Sequence, residues 1–413
     1  MIKYGLCGEK LGHSYSEIIH KKLGNNQYRL LSMSREDFHK FMKDRDFCAV
    51  NVTIPYKTDA LELCDVVSDE AKEIGSVNTV VNKNGTLYGY NTDIFGFIYM
   101  LSRKGIEICG KKVLILGSGG TSLTANAACK KLSAKEIITV SRSGKNNYEN
   151  ISIHNDAQVI INTTPVGMFP SNGNSPVNLS MFPQLEAVAD VIYNPETTRL
   201  LYDAQRAGLK TAGGLSMLVY QALLADKHFF DKETEVDKDL VEEITKNIAV
   251  GMKNITLVGM PGCGKSTVGK ILAKKTGRDF IDLDDYISEK YGKSPSVIIQ
   301  NEGELKFREI ETECLEEISK LSSKVISCGG GVVIAPHNRY LIKQNSICVY
   351  IMRELSKLAT DGRPLSVGGC ERIKELFEKR KDFYLDAADI TVDLCENAEC
   401  CAQKIIEKTE VDI

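Results

Sequence analysis

A glycine-rich segment in the second half of the chain has the residue types and spacing needed to hold nucleotide phosphates. Residues 259–266 match the pattern G-x-x-x-x-G-K-S/T and follow the apolar run 254–258, which predicts a buried strand. Glycines let backbone N–H groups surround phosphates, the lysine reaches the outer phosphates, and the serine hydroxyl can hold Mg2+. A thiol beside that lysine fits as a small residue, with an oxidisable cysteine as the alternative. The predicted nucleotide ligands are Gly259, Gly262, Cys263, Gly264, Lys265, Ser266 and Thr267.

Charged residues that follow this loop are candidates for binding the metal and the phosphate acceptor. Asp282 and Asp284 alternate at the end of an apolar pair, so on a strand both carboxylates would point to the same side. One could steady the metal and the other could orient an attacking hydroxyl group. Arginines pair well with carboxylates and phosphates. The remaining candidates are Arg308, Glu311, Gly329, Gly330, Gly331, Arg363 and Arg380.

A second glycine-rich turn predicts a dinucleotide site in the first half of the chain. Residues 117–122 follow a predicted strand and open a helix, as in the pattern G-x-G-x-x-G, except that Ser122 replaces the third glycine. The next predicted strand ends in Ser-Arg-Ser at 141–143, where an acidic residue would bond a ribose hydroxyl. An arginine there favours a 2′-phosphate. We therefore predict NADP(H) rather than NAD(H), with Arg142 on that phosphate.

Short polar side chains before this turn suit a polyhydroxylated ligand. They cluster in the segments 14–16, 51–57, 76–79 and 91–93. Among them, Lys57 can deliver a proton to a carbonyl oxygen, and Asp93 can set the position and charge of that lysine. His13 is the alternative proton donor because histidine titrates near neutral pH.

The elements around these motifs predict an α/β protein. A strand near residue 113, a glycine turn, a helix and a strand at 137–140 form a βαβ unit, which strands at 159–161 and 187–193 continue. Such alternation is typical of a parallel sheet with its functional loops at the strand ends. Residues 231–246 are dense in charge and predict an exposed helix followed by a connection, after which another α/β unit begins.

Length and composition limit the classes of function. At roughly 150 residues per domain, a chain of 413 residues makes two to three domains. With 52 Lys+Arg against 55 Asp+Glu there is no basic field for nucleic acid, so small molecules are the expected ligands. No apolar run reaches the roughly 18 residues of a membrane helix. The 13 cysteines contain no C-x-x-C pair, which predicts a cytoplasmic location; the oligomeric state is not predicted.

The second half of the chain resembles shikimate kinase in six motifs that occur in the same order. They read GMPGCGKST, FIDLDDYI, ELKFREIE, ISCGGGVV, DGRPL and EKRKDFY. In that site, the resemblance implies, Arg308 and Arg380 bind the carboxylate of shikimate and Asp284 binds the hydroxyl group that is phosphorylated. The implied shikimate ligands are Asp284, Arg308, Glu311, Gly329, Gly330, Gly331 and Arg380, with Glu311 bracing Arg308.

The same resemblance implies how ATP and Mg2+ are held. Lys265 acts on the transferred phosphate, and Ser266 and Asp282 belong to the metal site, with Asp282 behind the ion. Arg363 is implied to lie in a mobile lid that closes on the phosphates of ATP and excludes water.

The first half resembles shikimate dehydrogenase from residue 4 to about residue 225. The motifs are GHSYS, NVTIPYK, SVNT, GYNTD, GSGGTS, SRS, INTTPVGM, VIYNP and GLSMLVYQA. The resemblance implies that Lys57 and Asp93 are the catalytic pair, which leaves His13 a packing role in its loop. The implied substrate pocket consists of Ser14, Ser16, Thr53, Asn78, Tyr193 and Gln221. The implied NADP(H) ligands are Gly117, Gly119, Gly120, Arg142, Ser143, Asn162, Thr163, Met168 and Gly214.

Together these patterns predict a chain with two enzymes. The predicted order is a substrate-binding α/β lobe at 1–105, a Rossmann-type NADP domain at 106–212, a return to the first lobe at about 213–245, a linker at 246–252 and a P-loop kinase domain with a parallel sheet at 253–413. The expected reactions are reduction of 3-dehydroshikimate with NADPH and phosphorylation of shikimate by ATP. A dehydrogenase acting on quinate with NAD, and a binding module without activity, are the alternatives.

Overall fold

Sheets flanked by helices make up the part of the chain that the computed structural model describes, which confirms the predicted α/β class. That part comprises residues 3–12, 14–233, 235–358, 369–394 and 397–411, with residues 369 and 370 described only in their backbone. It divides into two compact units, residues 1–246 and 247–413. Within these described ranges, no helix combines the length and the apolar character that crossing a bilayer requires.

The first lobe is a mixed sheet with helices packed against it. Its strands are β1 (Tyr4–Gly8), β2 (Tyr28–Ser32), β3 (Ala49–Val52), β4 (Val66–Val67), β5 (Thr79–Lys83) and β6 (Thr86–Tyr90). Its helices are α1 (Ser16–Lys22), α2 (Arg35–Asp44), α3 (Lys57–Leu63), α4 (Asp69–Ile74) and α5 (Asp93–Arg103). The strand order is β2-β1-β3-β5-β6-β4, in which β5 runs antiparallel to both β3 and β6. Asn84 and Gly85, both with positive φ, form the tight turn between β5 and β6.

The second lobe is the predicted parallel sheet. It contains β7 (Lys112–Leu116), α6 (Gly120–Lys131), β8 (Glu136–Val140), β9 (Val159–Asn162), β10 (Ala187–Asp190), α7 (Arg199–Arg206) and β11 (Lys210–Gly213), in the strand order β11-β10-β9-β7-β8. Alternate side chains of β7 enter two different cores, Val113 and Ile115 on one face and Leu114 and Leu116 on the other. A strand buried on both faces explains why its sequence is continuously apolar.

Helix α8 (Leu215–Phe230) leaves the second lobe and packs on the first. Ala225 and Phe229 lie in a core with residues of β1, β2, β3 and β5. The helix can approach α5 closely because residue 96 is glycine: a Cβ there would lie 2.6 Å from the carbonyl oxygen of Met217. This packing places Gln221, in the middle of α8, beside the polar segments of the first lobe.

The segment predicted as a linker at 246–252 is helical. Helix α9 (Lys238–Met252) begins later than the charged run at 231–246 and continues through the boundary between the two units. It is not the exposed helix that its charge predicted, because Val241 and Ile244 are buried. Glu242 accepts hydrogen bonds from Arg103 of α5, with 2.5 Å between Nη2 and Oε2.

The second unit is again a parallel sheet, in the order β13-β14-β12-β15-β16. Its strands are β12 (Asn254–Val258), β13 (Asp279–Asp282), β14 (Lys324–Ser327), β15 (Ser346–Met352) and β16 (Ile390–Asp393). Its helices are α10 (Lys265–Thr276), α11 (Leu283–Tyr291), α12 (Pro295–Glu302), α13 (Glu304–Ile318), α14 (Pro336–Gln344), α15 (Gly369–Ala387) and α16 (Ala398–Thr409). The glycine-rich loop joins the central strand β12 to α10, so phosphates bound by it would face the carboxyl ends of the strands.

Candidate active sites

Lys57 and Asp93, the predicted catalytic pair, are joined by a hydrogen bond. Each is the first residue of a helix, Lys57 of α3 and Asp93 of α5, and Lys57 Nζ donates to Asp93 Oδ2 at 2.5 Å. Only 15% and 9% of the two side chains are exposed. The carboxylate thus holds the ammonium group in one position in a largely buried place. A fixed position helps a proton donor to stay within hydrogen-bond reach of the atom that it protonates.

A network of amide and hydroxyl groups lies behind this pair. Asn78 Oδ1 accepts from the backbone N–H of Thr92 at 2.8 Å, and Asn78 Nδ2 donates to the Thr92 hydroxyl at 3.0 Å. The Thr92 hydroxyl donates to Gln221 Oε1 at 3.2 Å. The structure therefore brings Asn78 and Gln221 together across 143 residues of chain. Thr92 lies in the polar segment 91–93 that the sequence singled out, but it was not among the residues assigned to the substrate pocket.

Ser14, Ser16 and Thr53 belong to the first lobe, whereas Tyr193 follows a strand of the second lobe. Ser14 donates a 3.1 Å hydrogen bond to the hydroxyl of Ser16, while His13 lies outside the described residues. Thr53 forms the turn before α3, since its carbonyl oxygen accepts from the N–H of Tyr56. Tyr193, which follows β10, packs with its ring 5.2 Å from that of Tyr15. Burial raises the pKa of Tyr15 to about 12, so its hydroxyl is neutral at physiological pH.

The turn between β7 and α6 forms a cradle in which phosphates fit. Gly117 has φ +110°, and a Cβ there would lie 2.7 Å from the Thr163 hydroxyl. By contrast, Cβ atoms on Gly119 and Gly120 would meet open space at the start of α6. Free N–H groups at a helix start, next to open space, suit a pyrophosphate. Arg142 and Ser143 are exposed just beyond β8, at the position of a 2′-phosphate in this type of fold.

The loop from Asn162 to Met168 is held at its first residue by the buried carboxylate of Asp190, which the sequence analysis missed. Asn162 Nδ2 donates to Asp190 Oδ1 at 3.1 Å, and the Thr198 hydroxyl donates to Asp190 Oδ2 at 2.8 Å. Burial raises the pKa of Asp190 to about 6. Met168 is exposed at the other end of the loop. Gly214 lies against the strand end, where a Cβ would be only 2.0 Å from the carbonyl oxygen of Val191.

In the second unit, Lys265 is folded back onto the phosphate loop. Its Nζ donates to the carbonyl oxygens of Gly259 and Met260, at 3.0 Å each, and lies 3.9 Å from Cys263 Sγ. Cys263 has no exposed surface, which favours the packing role over the oxidisable thiol. Gly262 and Gly264 have φ of +81° and +100°, and Gly264 precedes the first residue of α10. Ser266 and Thr267 are exposed at the start of that helix.

Asp282 and Asp284 do not lie on one strand as predicted. Asp282 ends β13, and its Oδ1 accepts from the N–H of Asp284 at 3.1 Å, so Asp282 caps helix α11 and Asp284 lies in its first turn. Because this hydrogen bond makes Leu283 the first residue of α11, Asp284 is helical. The alternation of side chains along a strand therefore does not apply to it. Asp282 Oδ2 accepts from the Ser266 hydroxyl at 2.6 Å. Burial raises the pKa of Asp284, and the charge of Asp282 raises it further.

Each glycine of the 329–331 loop approaches a different part of the second site. A Cβ on Gly329 would lie 2.9 Å from Glu311 Oε1, one on Gly330 would lie 2.6 Å from the ring of Pro261, and one on Gly331 would lie 2.3 Å from the Arg308 guanidinium. The approach of Gly330 to Pro261 leaves the least room for a side chain, because Glu311 and Arg308 meet the other two glycines with the ends of flexible side chains.

Arg308, Glu311 and Arg380 surround this loop. Arg308 Nη1 donates to Glu311 Oε2 at 2.7 Å, which is the predicted brace, while Glu311 Oε1 is buried with no hydrogen-bond partner in the described part of the chain. Buried Arg380 donates to the carbonyl oxygen of Gly330 at 3.2 Å. Tyr384, one turn later, donates to the same oxygen and was missed by the sequence analysis. Arg363 lies outside the described residues.

Comparison with known proteins gives matches for both units. A family model for the shikimate dehydrogenase substrate binding domain matches residues 6–80, and one for shikimate kinase matches residues 261–410. A shikimate dehydrogenase (NADP(+)) of Clostridium beijerinckii is 38% identical over 260 residues, which are 58% of this chain and 95% of that protein.

Solved structures agree with these matches. Shikimate dehydrogenase 1 from Peptoclostridium difficile is 36% identical with a TM-score of 0.54, and the alignment covers 59% of this chain and 97% of that one. Shikimate 5-dehydrogenase from Thermus thermophilus, solved with NADP(H) and shikimate, is 31% identical with a TM-score of 0.54 and covers 60% and 99%.

A parallel sheet with a dinucleotide-type glycine turn, in one unit with a lysine–carboxylate pair, is typical of an oxidoreductase. A P-loop in one unit with buried arginine and acidic side chains is typical of a phosphotransferase. The chain belongs to the shikimate dehydrogenase family and carries a shikimate kinase domain at residues 261–410. It is therefore a bifunctional shikimate-pathway enzyme with small-molecule substrates. NADP(H) serves its dehydrogenase half, residues 1–246, and ATP with Mg2+ is expected in its kinase half, residues 247–413.

Proposed function

We propose that the dehydrogenase half reduces 3-dehydroshikimate to shikimate through Lys57 and Asp93, and that the kinase half phosphorylates shikimate through Asp284 and Lys265. The observation that carries the first role is the 2.5 Å hydrogen bond between Lys57 and Asp93. Lys57 donates a proton to the carbonyl oxygen of the substrate as that oxygen gains charge, and Asp93 holds the ammonium group in place.

The substrate pocket is proposed to use the polar groups around this pair. Asn78 and Gln221, joined through Thr92, offer amide donors and acceptors to the hydroxyl groups of the substrate, and Ser14 and Ser16 offer hydroxyls. Thr53 and Tyr193 complete the pocket. NADPH supplies the hydride when it is bound.

We propose that Gly117, Gly119 and Gly120 hold the pyrophosphate of NADP(H), with Arg142 and Ser143 on its 2′-phosphate. The open space above the start of α6 supports this placement. Asn162, Thr163, Met168 and Gly214 would line the nicotinamide side.

In the kinase half, Asp284 is proposed to orient the shikimate hydroxyl and to accept its proton. Its raised pKa, caused by burial and by Asp282, makes it a better base than an exposed aspartate. Arg308 and Arg380 would bind the substrate carboxylate beside the glycines 329–331, and Ser266 with Asp282 would hold Mg2+. The mainly backbone ligands of ATP are proposed to be Gly259, Gly262, Cys263, Gly264, Lys265, Ser266 and Thr267. Arg363 is proposed as a further ligand of the ATP phosphates.

We also propose that both reactions take place in the cytoplasm without a nucleic-acid or membrane partner. All cysteines for which the structure gives a side chain and surroundings are free thiols, as a reducing compartment allows. Because the net charge is -3, the protein has no overall positive potential that would attract anions. Small anionic substrates are therefore proposed to be bound by individual arginines in the sites.

A coupled assay tests the proposal. The purified chain receives 3-dehydroshikimate, NADPH, ATP and Mg2+; NADPH loss is followed, and products are identified by mass. We expect shikimate 3-phosphate. The Lys57→Ala variant should not oxidise NADPH but should still phosphorylate added shikimate. The Asp284→Asn variant should still oxidise NADPH but should not phosphorylate shikimate.

Lys72→Ala, a change of an exposed lysine in the same lobe, is the matched control and should alter neither activity. Full NADPH oxidation by Lys57→Ala would reject its role, and oxidation of quinate with NAD in place of the expected reaction would favour the alternative activity.

A further inference from the structure

The helix that begins with Lys57 has no side-chain cap. Tyr56, the residue before α3, makes no capping hydrogen bond. Asp59, in the first turn, is 5% exposed, and its carboxylate turns outward to α2, where Arg35 donates two hydrogen bonds of 2.6 Å from Nε and Nη2. His39 Nε2, one turn further along α2, lies 2.8 Å from Asp59 Oδ2. The start of α3 is therefore held from outside by α2.

Tyr56 docks on the same segment from the other side of Lys57. Its hydroxyl donates to the carbonyl oxygen of Met33 at 2.7 Å, and its ring stacks on Phe38 with centroids 4.7 Å apart and an angle of 11°. The residues one before and two after Lys57 thus both bind to residues 33–39. A shift of this segment would move the backbone that carries the Lys57 side chain.

The ion pair between Arg35 and Asp59 is bidentate, which makes it stronger than a single hydrogen bond. Arg35 donates from two nitrogens to two oxygens, a paired geometry that fixes direction as well as distance. The hydrogen bonds from Arg35 lower the pKa of Asp59 to about 2, and His39 contributes, so the carboxylate stays ionised throughout the pH range of an enzyme assay.

We propose that Arg35 and His39, acting through Asp59, are positioning residues that set the Lys57 ammonium group against Asp93. This inference rests on the proposed role of Lys57 as proton donor. Neither α2 residue is assigned a contact with substrate or cofactor; each acts through the first turn of α3.

The chain offers a matched control for a purely structural role. Arg45 forms a second paired contact, donating to Asp65 at 2.9 and 3.0 Å, just beyond the far end of α3. This pair also ties the α2 region to the α3 region, but it lies at the end of the helix remote from Lys57. Removing either arginine breaks one Arg–Asp pair, and only one of the two pairs holds the start of α3.

The test compares Arg35→Ala with Arg45→Ala in the full chain. Arg35→Ala should lower kcat for reduction of 3-dehydroshikimate about 10-fold with KM nearly unchanged, a smaller loss than the roughly 100-fold that a 1 Å misplacement can cause. Arg45→Ala should keep both constants. Phosphorylation of added shikimate, measured on the same samples, should be equal in both variants and in the unchanged chain.

Because Arg35 is largely exposed, guanidinium ions added at non-denaturing concentration should restore part of the lost turnover in Arg35→Ala. They should restore none in Lys57→Ala. Equal losses in the two arginine variants, a loss confined to KM, or no rescue would overturn the positioning role. If Lys57→Ala itself retains turnover, the proposed role of Lys57 fails instead, so the two failures are told apart.

Discussion

The Ser266 hydroxyl donates a 2.6 Å hydrogen bond to Asp282 Oδ2, which joins the end of the phosphate loop to the end of β13. A hydroxyl and a carboxylate offer oxygen ligands of the kind that Mg2+ prefers, which supports the proposed metal site. We predict that Asp282→Asn lowers kinase activity about 10- to 100-fold, as expected for a group that orients the ligands of a metal. Titration of activity with Mg2+ should show a higher requirement.

Asp285→Asn is the control for this change because Asp285 is exposed three residues later. The dehydrogenase activity of both variants should equal that of the unchanged chain. An unaltered Mg2+ requirement in Asp282→Asn would place the metal elsewhere.

Arg142 decides the choice between NADP and NAD in our proposal. Its removal in Arg142→Ala should lower kcat/KM for NADPH about 10- to 100-fold, the equivalent of charge-assisted hydrogen bonds to one phosphate group. The constant for NADH should not change, because NADH lacks that phosphate. Lys135→Ala, at the opposite end of β8 and also exposed, should leave both constants intact. Equal losses with both cofactors would contradict the assignment.

Tyr384 contacts both the glycine loop of the proposed shikimate site and the phosphate loop. Its hydroxyl donates to the Gly330 carbonyl oxygen, and it lies 3.8 Å from the sulfur of Met260. The Tyr384→Phe variant keeps the ring and loses one neutral hydrogen bond, about 1 kcal/mol or roughly fivefold in binding. We expect KM to rise about that much for shikimate and also for ATP.

Tyr291→Phe removes a comparable hydrogen bond to Glu313 on the surface and is the control. It should change neither KM. An effect of Tyr384→Phe on shikimate alone would show that the loop does not transmit the change to the ATP site.

We predict that Asp190 makes the stability of the dehydrogenase half depend on pH. Its pKa is raised by burial to about 6 from 3.8, so the folded state keeps a proton that the unfolded state releases between these values. Stability therefore falls as pH rises from about 4 to 6, by up to about 3 kcal/mol, and then levels off. Asp190→Asn can still accept from Asn162 through its oxygen and should lose this dependence.

Calorimetry between pH 4 and 7 measures this effect, and the transition that NADPH shifts upward identifies the dehydrogenase half. The difference in free energy of unfolding between variant and unchanged chain should change between about pH 4 and 6 and stay constant from there to pH 7. A difference that is constant across the whole window would mean that Asp190 does not titrate there.

The local motifs were predictable from sequence because each of them consists of residues that are close together in the chain. The loop at 259–266, the turn at 117–120 and the residues Lys57 and Asp93 stand directly before or at the start of helices, and the fold places them at strand ends. The parallel sheets followed from continuous apolar runs such as β7.

Contacts between distant segments were not predictable. Asp284 was expected on a strand, but the hydrogen bond from Asp282 that starts α11 overrides the alternation of a short strand. Residues 246–252 were predicted as a linker but continue helix α9. The contact of Glu242, earlier in that helix, with Arg103 of α5 could not be foreseen either. Tyr384 was missed because its partner, Gly330, lies 54 residues away. Thr92 lay in the predicted polar segment 91–93, but its contact with Gln221, 129 residues away, could not be foreseen.

Gly119 and Gly214 are glycines for different reasons: Gly119 is proposed to leave room for the cofactor, and Gly214 is required by close packing within the protein. A Cβ on Gly119 would meet nothing within 4 Å, whereas one on Gly214 would lie 2.0 Å from the Val191 carbonyl oxygen. Gly119→Ala should therefore leave the melting temperature unchanged and raise KM for NADPH about tenfold, as if one charge-assisted hydrogen bond to a phosphate were lost. Gly214→Ala should destabilise the dehydrogenase half by about 1–3 kcal/mol through overpacking. Thermal unfolding and NADPH kinetics on both variants distinguish the effects: a normal KM in Gly119→Ala would mean that the phosphates do not lie in the open space above α6.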